Sequence, residues 1–472
     1  MGRHGSGTGR GNLERSRARK TVRRALIGLL VVAVVAAGVV GGGVVYRAKK
    51  HADDLEALVP PQPAAVTYAP QLAAIDPTGP QGAPTARGVA AEIAAPLRNR
   101  DLGQFTGIIT DAATGSVLWQ RGQAQPRTPA STTKLLTSTA ALLTLPPDQR
   151  ITTTVVAGAD PGTAVIVGAG DPTLTTLPAG KDGLFPGAAR ISDLAQQLRG
   201  KGIERIQVDT SLFTGDQMAQ GWDRADIAGG DIAPIQALTA DSGRVDPAKD
   251  ESPRSPQPAL AVGKALAAGL GLPASSVTDG TAPAGAQVLA KVTSAPLTDR
   301  LRQLMVLSDN VAAQQVGMEV AAATGEERSI TGAARAVLKV LQGKGFDVTG
   351  VTLHDTNGLS VDDRIPAAVL DEVITAAAGP DHPQLRPLLD YLPIAGATGT
   401  LSDRYTTANR AGAGYVRAKT GSLSGVSTLA GYVSDDDGRI LTFTLMSSGT
   451  PVDVARPAMD AITTALKGCG CR

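Results

Sequence analysis

An uninterrupted apolar run near the N-terminus divides this chain of 472 residues. The run spans residues 25–45 and reads ALIGLLVVAVVAAGVVGGGVV. As an α-helix it would be about 31 Å long, close to the roughly 30 Å hydrocarbon core of a membrane. Eight Lys or Arg residues precede it, which predicts a cytoplasmic basic tail at 1–24, a transmembrane signal anchor and an extracytoplasmic body in the cell envelope. A cleaved signal peptide remains an alternative, because Ala36 and Ala37 could accommodate a signal peptidase.

The charge and composition beyond this run indicate a folded body that does not bind nucleic acid. The chain holds 45 Lys+Arg and 43 Asp+Glu, but residues 1–50 contain eleven of the bases and only one acid, so the remainder is net acidic. Seven prolines in residues 59–86 predict a semi-extended linker over 46–87. The two cysteines, Cys469 and Cys471, leave the core without a disulfide framework. As a short C-x-C they could form a disulfide, stay free thiols or contact a partner.

Residues 88–472 show the apolar patterns of a mixed α/β protein. Helical spacing marks 88–99, 129–145 and 297–323, the last interrupted around Ser308. The strand-like runs FTGIITD and SVLWQRG flank an Ala-Thr-Gly turn and predict a hairpin. Near the C-terminus, the runs YVRAKTG, STLAGYVS and ILTFTLMSS predict an antiparallel meander before a closing helix. Residues 150–295 form a separate predicted α/β region.

The first chemically informative motif is Ser131-Thr132-Thr133-Lys134. At the start of a helix, residues i and i+3 share a face, so the Lys134 amine can reach the Ser131 hydroxyl. A lysine can activate a serine as its base when burial and another cation lower the lysine pKa. The tetrapeptide alone is weak support, since about one or two copies are expected by chance in a chain of this length.

A second motif, Ser308-Asp309-Asn310, lies between two helical stretches. Its hydroxyl can relay protons, and the Asn310 amide can bond a substrate carbonyl. Ser and Asn are also common helix N-caps, so the motif by itself has an ordinary structural explanation.

A third motif, Lys419-Thr420-Gly421 followed by Ser422, ends a strand-like run. A lysine and a hydroxyl beside a strand edge suit an anionic carboxylate, and Gly421 would leave room for a peptide to approach the backbone. Such an edge could take substrate by β-strand addition. The structural alternative is a surface lysine that enters a turn.

Competing chemistries lack their motifs in this sequence. There is no G-x-S-x-G elbow, no H-E-x-x-H zinc helix and no G-x-x-x-x-G-K-[ST] phosphate loop. His354 precedes Asp355, but no serine has a matching context, so we interpret His354 as a structural or surface residue. Asp209, Asp231 and Asp241 are too scattered in the sequence to predict a metal site.

The three motifs in this order are typical of class A β-lactamases and penicillin-binding proteins. Residues 88–472 resemble the D-alanyl-D-alanine carboxypeptidase/endopeptidases of the class C, low-molecular-mass penicillin-binding proteins. In that family the gap between the first two motifs carries inserted domains, whereas β-lactamases keep it far shorter and follow it with E-x-x-L-N, which is absent here. Four further segments resemble the family, namely GAGDPTL at 168–174, VDTSLFTG at 208–215, TNGLS at 356–360 and LPIAGATGTL with Arg404 at 392–404.

The resemblance implies an α/β fold of the α+β type. A β-lactamase/transpeptidase-like domain with an antiparallel sheet flanked by helices would comprise 88–149 and 296–472, and an accessory α/β insertion would comprise 150–295. Two departures stand out: Ser422 occupies a position where threonine is common, and APIQALTADSGR at 233–244 lacks an expected asparagine. The second departure leaves the contacts between insertion and site open.

The resemblance also implies the chemistry. The enzyme would remove the terminal D-Ala from peptidoglycan stem peptides through an acyl-enzyme on Ser131, with Lys134 as base and no metal or organic cofactor. The oxyanion would sit between the backbone N–H groups of Ser131 and Ser422. Lys419 and Thr420 would bind the terminal carboxylate, and β-lactams would acylate the same serine. The implied catalytic residues are Ser131, Lys134, Ser308, Asn310 and Lys419, and the implied substrate-binding residues are Thr420, Gly421 and Ser422.

Two alternatives share this resemblance. The same site could act mainly as a DD-endopeptidase that cuts peptidoglycan cross-links. A non-catalytic envelope scaffold could keep the fold and bind stem peptides, although the intact motif residues argue against such decay.

Overall fold

A computed structural model describes residues 83–471 of the protein. The predicted basic tail and membrane anchor, and the linker up to residue 82, lie outside the described residues. Within 83–471, every helix is too short or too polar to span a bilayer.

The strands belong to two five-stranded sheets and one two-stranded sheet. In chain order they are β1 (Gln104–Asp111), β2 (Ser116–Arg121), β3 (Pro126–Arg127), β4 (Thr152–Ala157), β5 (Thr163–Val167), β6 (Arg205–Asp209), β7 (Val277–Asp279), β8 (Val288–Thr293), β9 (Ile365–Pro366), β10 (Val416–Leu423), β11 (Val426–Ser434) and β12 (Ile440–Ser448).

The α-helices lie between and after these strands. In chain order they are α1 (Ala86–Glu92), α2 (Thr133–Thr144), α3 (Ile191–Leu198), α4 (Ala225–Gly229), α5 (Pro258–Gly269), α6 (Leu297–Leu307), α7 (Asn310–Ala323), α8 (Ile330–Gly343), α9 (Ala367–Ala378), α10 (Pro387–Asp390) and α11 (Val452–Lys467).

The main sheet is antiparallel, with strand order β10-β11-β12-β1-β2. The predicted hairpin and the predicted C-terminal meander are both confirmed, because β1 pairs with β2 and β10 to β12 pair in sequence. The meander joins the hairpin through β12, so the two ends of the folded body share one sheet. One edge of β10 pairs with β11, and its other edge is bridged by Ile394 only at Arg417, so the third motif lies on an open edge of the sheet.

Both faces of the main sheet are covered by helices. On one face, α2, α6, α7, α8 and α9 contribute to a large apolar core in which side chains such as Leu135, Leu301 and Val316 are almost fully buried. On the other face, α11 packs Met459 and Ile462 beneath strands β11 and β12. An antiparallel sheet covered by helices on both faces is the α+β arrangement that the resemblance implies.

A second sheet draws all its strands from residues 152–293, in the order β7-β6-β5-β4-β8. Strands β5, β6 and β7 run parallel, whereas β4 pairs antiparallel with β5 and β8. Helices α3 and α5 share an apolar core with this sheet. The strands therefore lie within the predicted insertion, and the domain boundaries at 149/150 and 295/296 stay a prediction.

The loop at 231–244 connects the second sheet to the main helices. Ile232, Ala233 and Ile235 are buried against Val311 and Met318 of α7. This contact holds the loop beside the start of α7, where the second motif lies.

At the other end of the chain, Cys469 and Cys471 form a disulfide with each other, which resolves the alternatives that the sequence left open.

Candidate active site

The fold brings the three sequence motifs together around Ser131. Ser131 lies in a short 3-10 turn, Ala130–Thr132, immediately before α2. The turn is tight because Ala130 has a left-handed backbone, with φ of 47°. A side chain at Gly358 would collide with the Ala130 carbonyl oxygen. Only glycine therefore lets the loop of 356–360 approach the turn at 130–132 this closely.

The Lys134 amine is the centre of the site. Its Nζ lies 2.8 Å from Ser131 Oγ, 2.6 Å from Asn310 Oδ1 and 2.7 Å from the Asn357 carbonyl oxygen. The Asn310 amide is held in this orientation because its Nδ2 donates to the Asp231 carbonyl at 2.9 Å. Two of the three partners of Nζ are therefore oxygens that can only accept.

Burial lowers the pKa of Lys134 to about 7, while the charges of Asp355 and Asp309 oppose that shift. The side chain is fully buried, so its cationic form loses most of its hydration. A neutral amine has two N–H groups, which match Asn310 Oδ1 and the Asn357 carbonyl. Its lone pair then faces the Ser131 hydroxyl, which is the arrangement that a general base needs.

Ser308 and Lys419 form the second pair of the site. Ser308 separates α6 from α7 and has a left-handed backbone with φ of 57°, which turns its hydroxyl toward β10. Lys419 Nζ donates to Ser308 Oγ at 2.8 Å and to the Thr420 carbonyl at 2.7 Å. Burial and the nearby Lys134 lower the pKa of Lys419 well below its usual value. Lys419 thus faces Ser308 from a fully buried position.

Asp309 fixes the turn between Ser308 and Asn310. It is the N-cap of α7, since its side chain accepts from the Ala312 N–H at 2.8 Å. Arg244 Nη1 lies 2.7 Å and Arg254 Nη2 lies 3.4 Å from the same carboxylate oxygen. These two arginines hold the pKa of Asp309 below its usual range although its burial opposes this. The segment that lacks the expected asparagine therefore contacts the site through Arg244.

The third motif lies on the edge strand β10. Thr420 Oγ1 donates to Thr400 Oγ1 at 2.7 Å, and Ser422 Oγ accepts from Arg456 Nη2 at 2.9 Å. Gly421 has a packing role that the sequence does not indicate. A side chain there would meet Thr428 and come within 2.7 Å of the Pro129 carbonyl oxygen, so the glycine allows β10 to pack on the nucleophile turn.

The sequence did not reveal the role of the loop at 355–360, which presents the Asn357 carbonyl oxygen to the Lys134 amine. The Asp355 carboxylate is buried and accepts N–H bonds from Asn357, Gly358 and Ser360, which shapes the loop that presents the Asn357 carbonyl. Trp222 of the predicted insertion donates its indole N–H to Asp355 at 2.7 Å. The TNGLS segment was the available signal, but it identified a resemblance without saying which atom it contributes. The neighbouring His354 donates its backbone N–H to Asp363.

An open cleft of about 670 Å³ leads to Ser131. Ser308, Asn310 and Ser422 line the cleft together with Asp223, Asp226 and Asp231 of the predicted insertion. Burial and the adjacent Asp231 raise the pKa of Asp226. The three aspartates give one wall a negative potential that favours a cationic group on the substrate. Asp231 thus belongs to the cleft, whereas Asp209 accepts backbone N–H bonds beside β6 and Asp241 accepts from Thr176.

This geometry agrees with what the chain is similar to. The sequence model of the D-Ala-D-Ala carboxypeptidase 3 (S13) family matches residues 89–258 and 248–468 of this chain. The chain belongs to this family. Its match confirms the predicted class, a serine-type D-Ala-D-Ala carboxypeptidase of the class C penicillin-binding type.

Related proteins extend the match over nearly the whole sequence. The chain is 52% identical to carboxypeptidase DacB of Mycolicibacterium smegmatis, over 94% of this chain and 95% of that protein. It is 50% identical to a carboxypeptidase of Mycobacterium tuberculosis, over 82% and 85% of the two chains. These names do not favour the endopeptidase alternative.

Among solved structures, the fold matches penicillin-binding protein 4 of Haemophilus influenzae, with a TM-score of 0.64 and 21% identity over 80% of this chain and 97% of that chain. At that identity the match speaks for the fold alone, and it confirms the predicted fold class.

We predict that Arg244→Ala destabilises both the protein and the Ser308–Asn310 turn. The change removes the shorter of the two ion pairs of the buried Asp309 carboxylate and leaves only Arg254 at 3.4 Å, and breaking a buried pair costs about 3–5 kcal/mol. Denaturant unfolding should show this loss in the free energy of unfolding, and acylation by benzylpenicillin should slow.

Two variants control this prediction. Lys249→Ala removes an exposed partner of Asp246 and should leave stability unchanged. Arg244→Met and Arg254→Met combined with Asp309→Asn should recover part of the stability, because the buried carboxylate and both of its arginines are then removed together. Equal stability of wild type and Arg244→Ala would contradict the assignment.

Proposed function

We propose that the protein removes the terminal D-Ala from peptidoglycan stem peptides, with Ser131 as nucleophile and Lys134 as its base. The observation that carries this proposal is the Lys134 amine, buried and bonded to two obligate acceptors and to the Ser131 hydroxyl. If the two N–H groups of the neutral amine bind these acceptors, its lone pair is free to take the proton of Ser131.

Acylation follows from these contacts. Ser131 Oγ attacks the carbonyl carbon of the penultimate D-Ala while its proton passes to Lys134 Nζ, and a tetrahedral oxyanion forms. The C–N bond then breaks, and the leaving amine of D-Ala takes a proton from Ser308 Oγ. Ser308 regains a proton from the protonated Lys134, which becomes neutral again, while Lys419 keeps its bond to Ser308 Oγ at 2.8 Å. Water then attacks the ester carbonyl and gives its proton to Lys134, the bond from the acyl carbon to Ser131 Oγ breaks, and Lys134 returns the proton to that oxygen.

The edge strand β10 provides the docking surface for the peptide backbone. Its outer edge is open along the third motif, so an extended peptide can pair with it as an added strand. The second N–H of the Asn310 amide can bond a substrate carbonyl, since the first is engaged by Asp231. The acidic wall of the cleft suits a free amine on the stem peptide.

We predict that Ser131→Ala abolishes both D-Ala release and the covalent adduct with benzylpenicillin. Intact-mass analysis followed by peptide mapping should place a stoichiometric adduct on Ser131 in the wild type and none in the variant. The matched control is Ser424→Ala, which removes another hydroxyl that lines the cleft and should leave the adduct intact. An adduct that survives in Ser131→Ala would refute the nucleophile.

We predict that the rate of benzylpenicillin acylation rises with pH through about 7 and then levels, because the base must be neutral and the Lys134 pKa is about 7. Below that pH the protonated amine cannot accept the serine proton. Stopped-flow acylation between pH 5.5 and 9 measures this profile. A rate that is flat across this range in the folded wild type would remove Lys134 from the role of base.

We further propose that residues 25–45 hold the protein in the cell membrane, with the N-terminus cytoplasmic and the catalytic body outside. The apolar run and its basic lead support this topology. Full-length protein expressed in bacteria should stay with membranes after carbonate washing and should keep its N-terminus by intact mass. Release together with loss of the first residues up to about Ala37 would establish a cleaved signal peptide instead.

A further inference from the structure

The substrate's terminal carboxylate needs a cationic partner that the residues named so far do not supply. Lys419, expected from the sequence to bind it, is fully buried and directs its amine to Ser308 and to a backbone carbonyl. Burial and the nearby Lys134 also lower the pKa of Lys419 well below its usual value. Thr420 offers a hydroxyl that already donates to Thr400. The motif therefore presents polar atoms along β10 without an accessible positive charge.

Arg456 belongs to a different element, the helix α11, and lies beside Ser422 of β10. It is exposed on α11, and its Nη2 donates to Ser422 Oγ at 2.9 Å. Ser422 lines the cleft and is two residues from Thr420, so both side chains project from the same face of β10. The Arg456 guanidinium is thus bonded to the hydroxyl of Ser422, a residue of β10 that lines the cleft.

The charge of Arg456 is not neutralised by a direct ion pair. Among residues 83–471, no carboxylate lies within ion-pair distance of its guanidinium. The nearby Asp460 is instead committed to Arg404, with which it forms two hydrogen bonds. Partial burial and the charge of Arg404 lower the pKa of Arg456, and the charges of Asp403 and Asp460 oppose this shift only in part, so a bound anion would further stabilise the guanidinium.

We propose that Arg456 is the specificity residue that recognises the free carboxylate next to the scissile bond. This inference rests on the proposed carboxypeptidase function. One N–H of the guanidinium keeps Ser422 in place, and the others bind the carboxylate beside the Ser422 and Thr420 hydroxyls. Arginine suits this task because its planar fork offers several donors to a carboxylate and stays charged at every relevant pH.

The test compares two pairs of probes that differ only in that carboxylate. One pair is an amine-blocked tripeptide ending in D-Ala-D-Ala and its C-terminal amide. The other pair is benzylpenicillin and its methyl ester. For Arg456→Ala, kcat/KM and the acylation rate should fall about 10- to 100-fold on the carboxylate probes, chiefly through KM, as expected for the loss of a charged hydrogen bond. The amide and the ester should react at nearly wild-type rates.

Three controls make the result decisive. Arg456→Lys should restore part of the loss, because the charge returns without the fork. Arg335→Ala removes an exposed arginine on α8 and should change neither probe. An unchanged thermal midpoint for Arg456→Ala would show that the fold is intact.

The outcomes separate this inference from the function on which it rests. A wild type that neither releases D-Ala nor forms a penicillin adduct would overturn the proposed function itself. A competent wild type with equal losses on charged and neutral probes would show that Arg456 only positions Ser422. No loss on any probe would overturn the inference entirely.

Discussion

The burial of the Lys134 amine is the constraint on which the rest of the site depends. A lysine in water is charged and cannot accept a proton from serine, so the protein must remove its hydration. The start of α7, the turn at 130–132 and the loop of 356–360 surround the Lys134 amine. All three hydrogen-bond partners of the amine are protein oxygens from these elements. A residue with a left-handed backbone lies in or next to each of these elements, namely Ala130 in the turn, Ser308 before α7 and Gly358 in the loop.

The carboxylates around the amine are arranged so that they do not cancel its burial. Asp355 accepts N–H bonds from its own loop and from Trp222, and Asp309 is engaged by two arginines. Both acids still favour the charged form of Lys134, but burial outweighs them. Three of the compensating groups, Trp222, Arg244 and Arg254, come from the region between the first two motifs. That region is thus part of the machinery that holds the site, besides forming a sheet of its own.

The cleft is electrostatically polarised in a way that suits a zwitterionic peptide. Aspartates line one wall, and Arg456 stands at the end of β10 near Ser422. A stem peptide with a free amine and a terminal carboxylate would therefore be oriented before its carbonyl reaches Ser131. The two lysines of the motifs are both buried, and their amines are bonded to the hydroxyls of Ser131 and Ser308.

Much of the fold and the motif residues could be predicted from the sequence because local patterns carry them. The alternating apolar runs of β10 to β12 define a meander, and Ser131 and Lys134 share a helix face by spacing alone. The partners of those residues could not be predicted, because they meet only in the folded chain. Asn357 contributes a backbone carbonyl, Arg244 lies 65 residues from Asp309, and Arg456 follows Ser422 by 34 residues on a different element. Sequence spacing determines which groups share an element. Only tertiary packing decides which groups are buried together, because the amines of Lys134 and Lys419 lose their water only when residues distant in the sequence close around them.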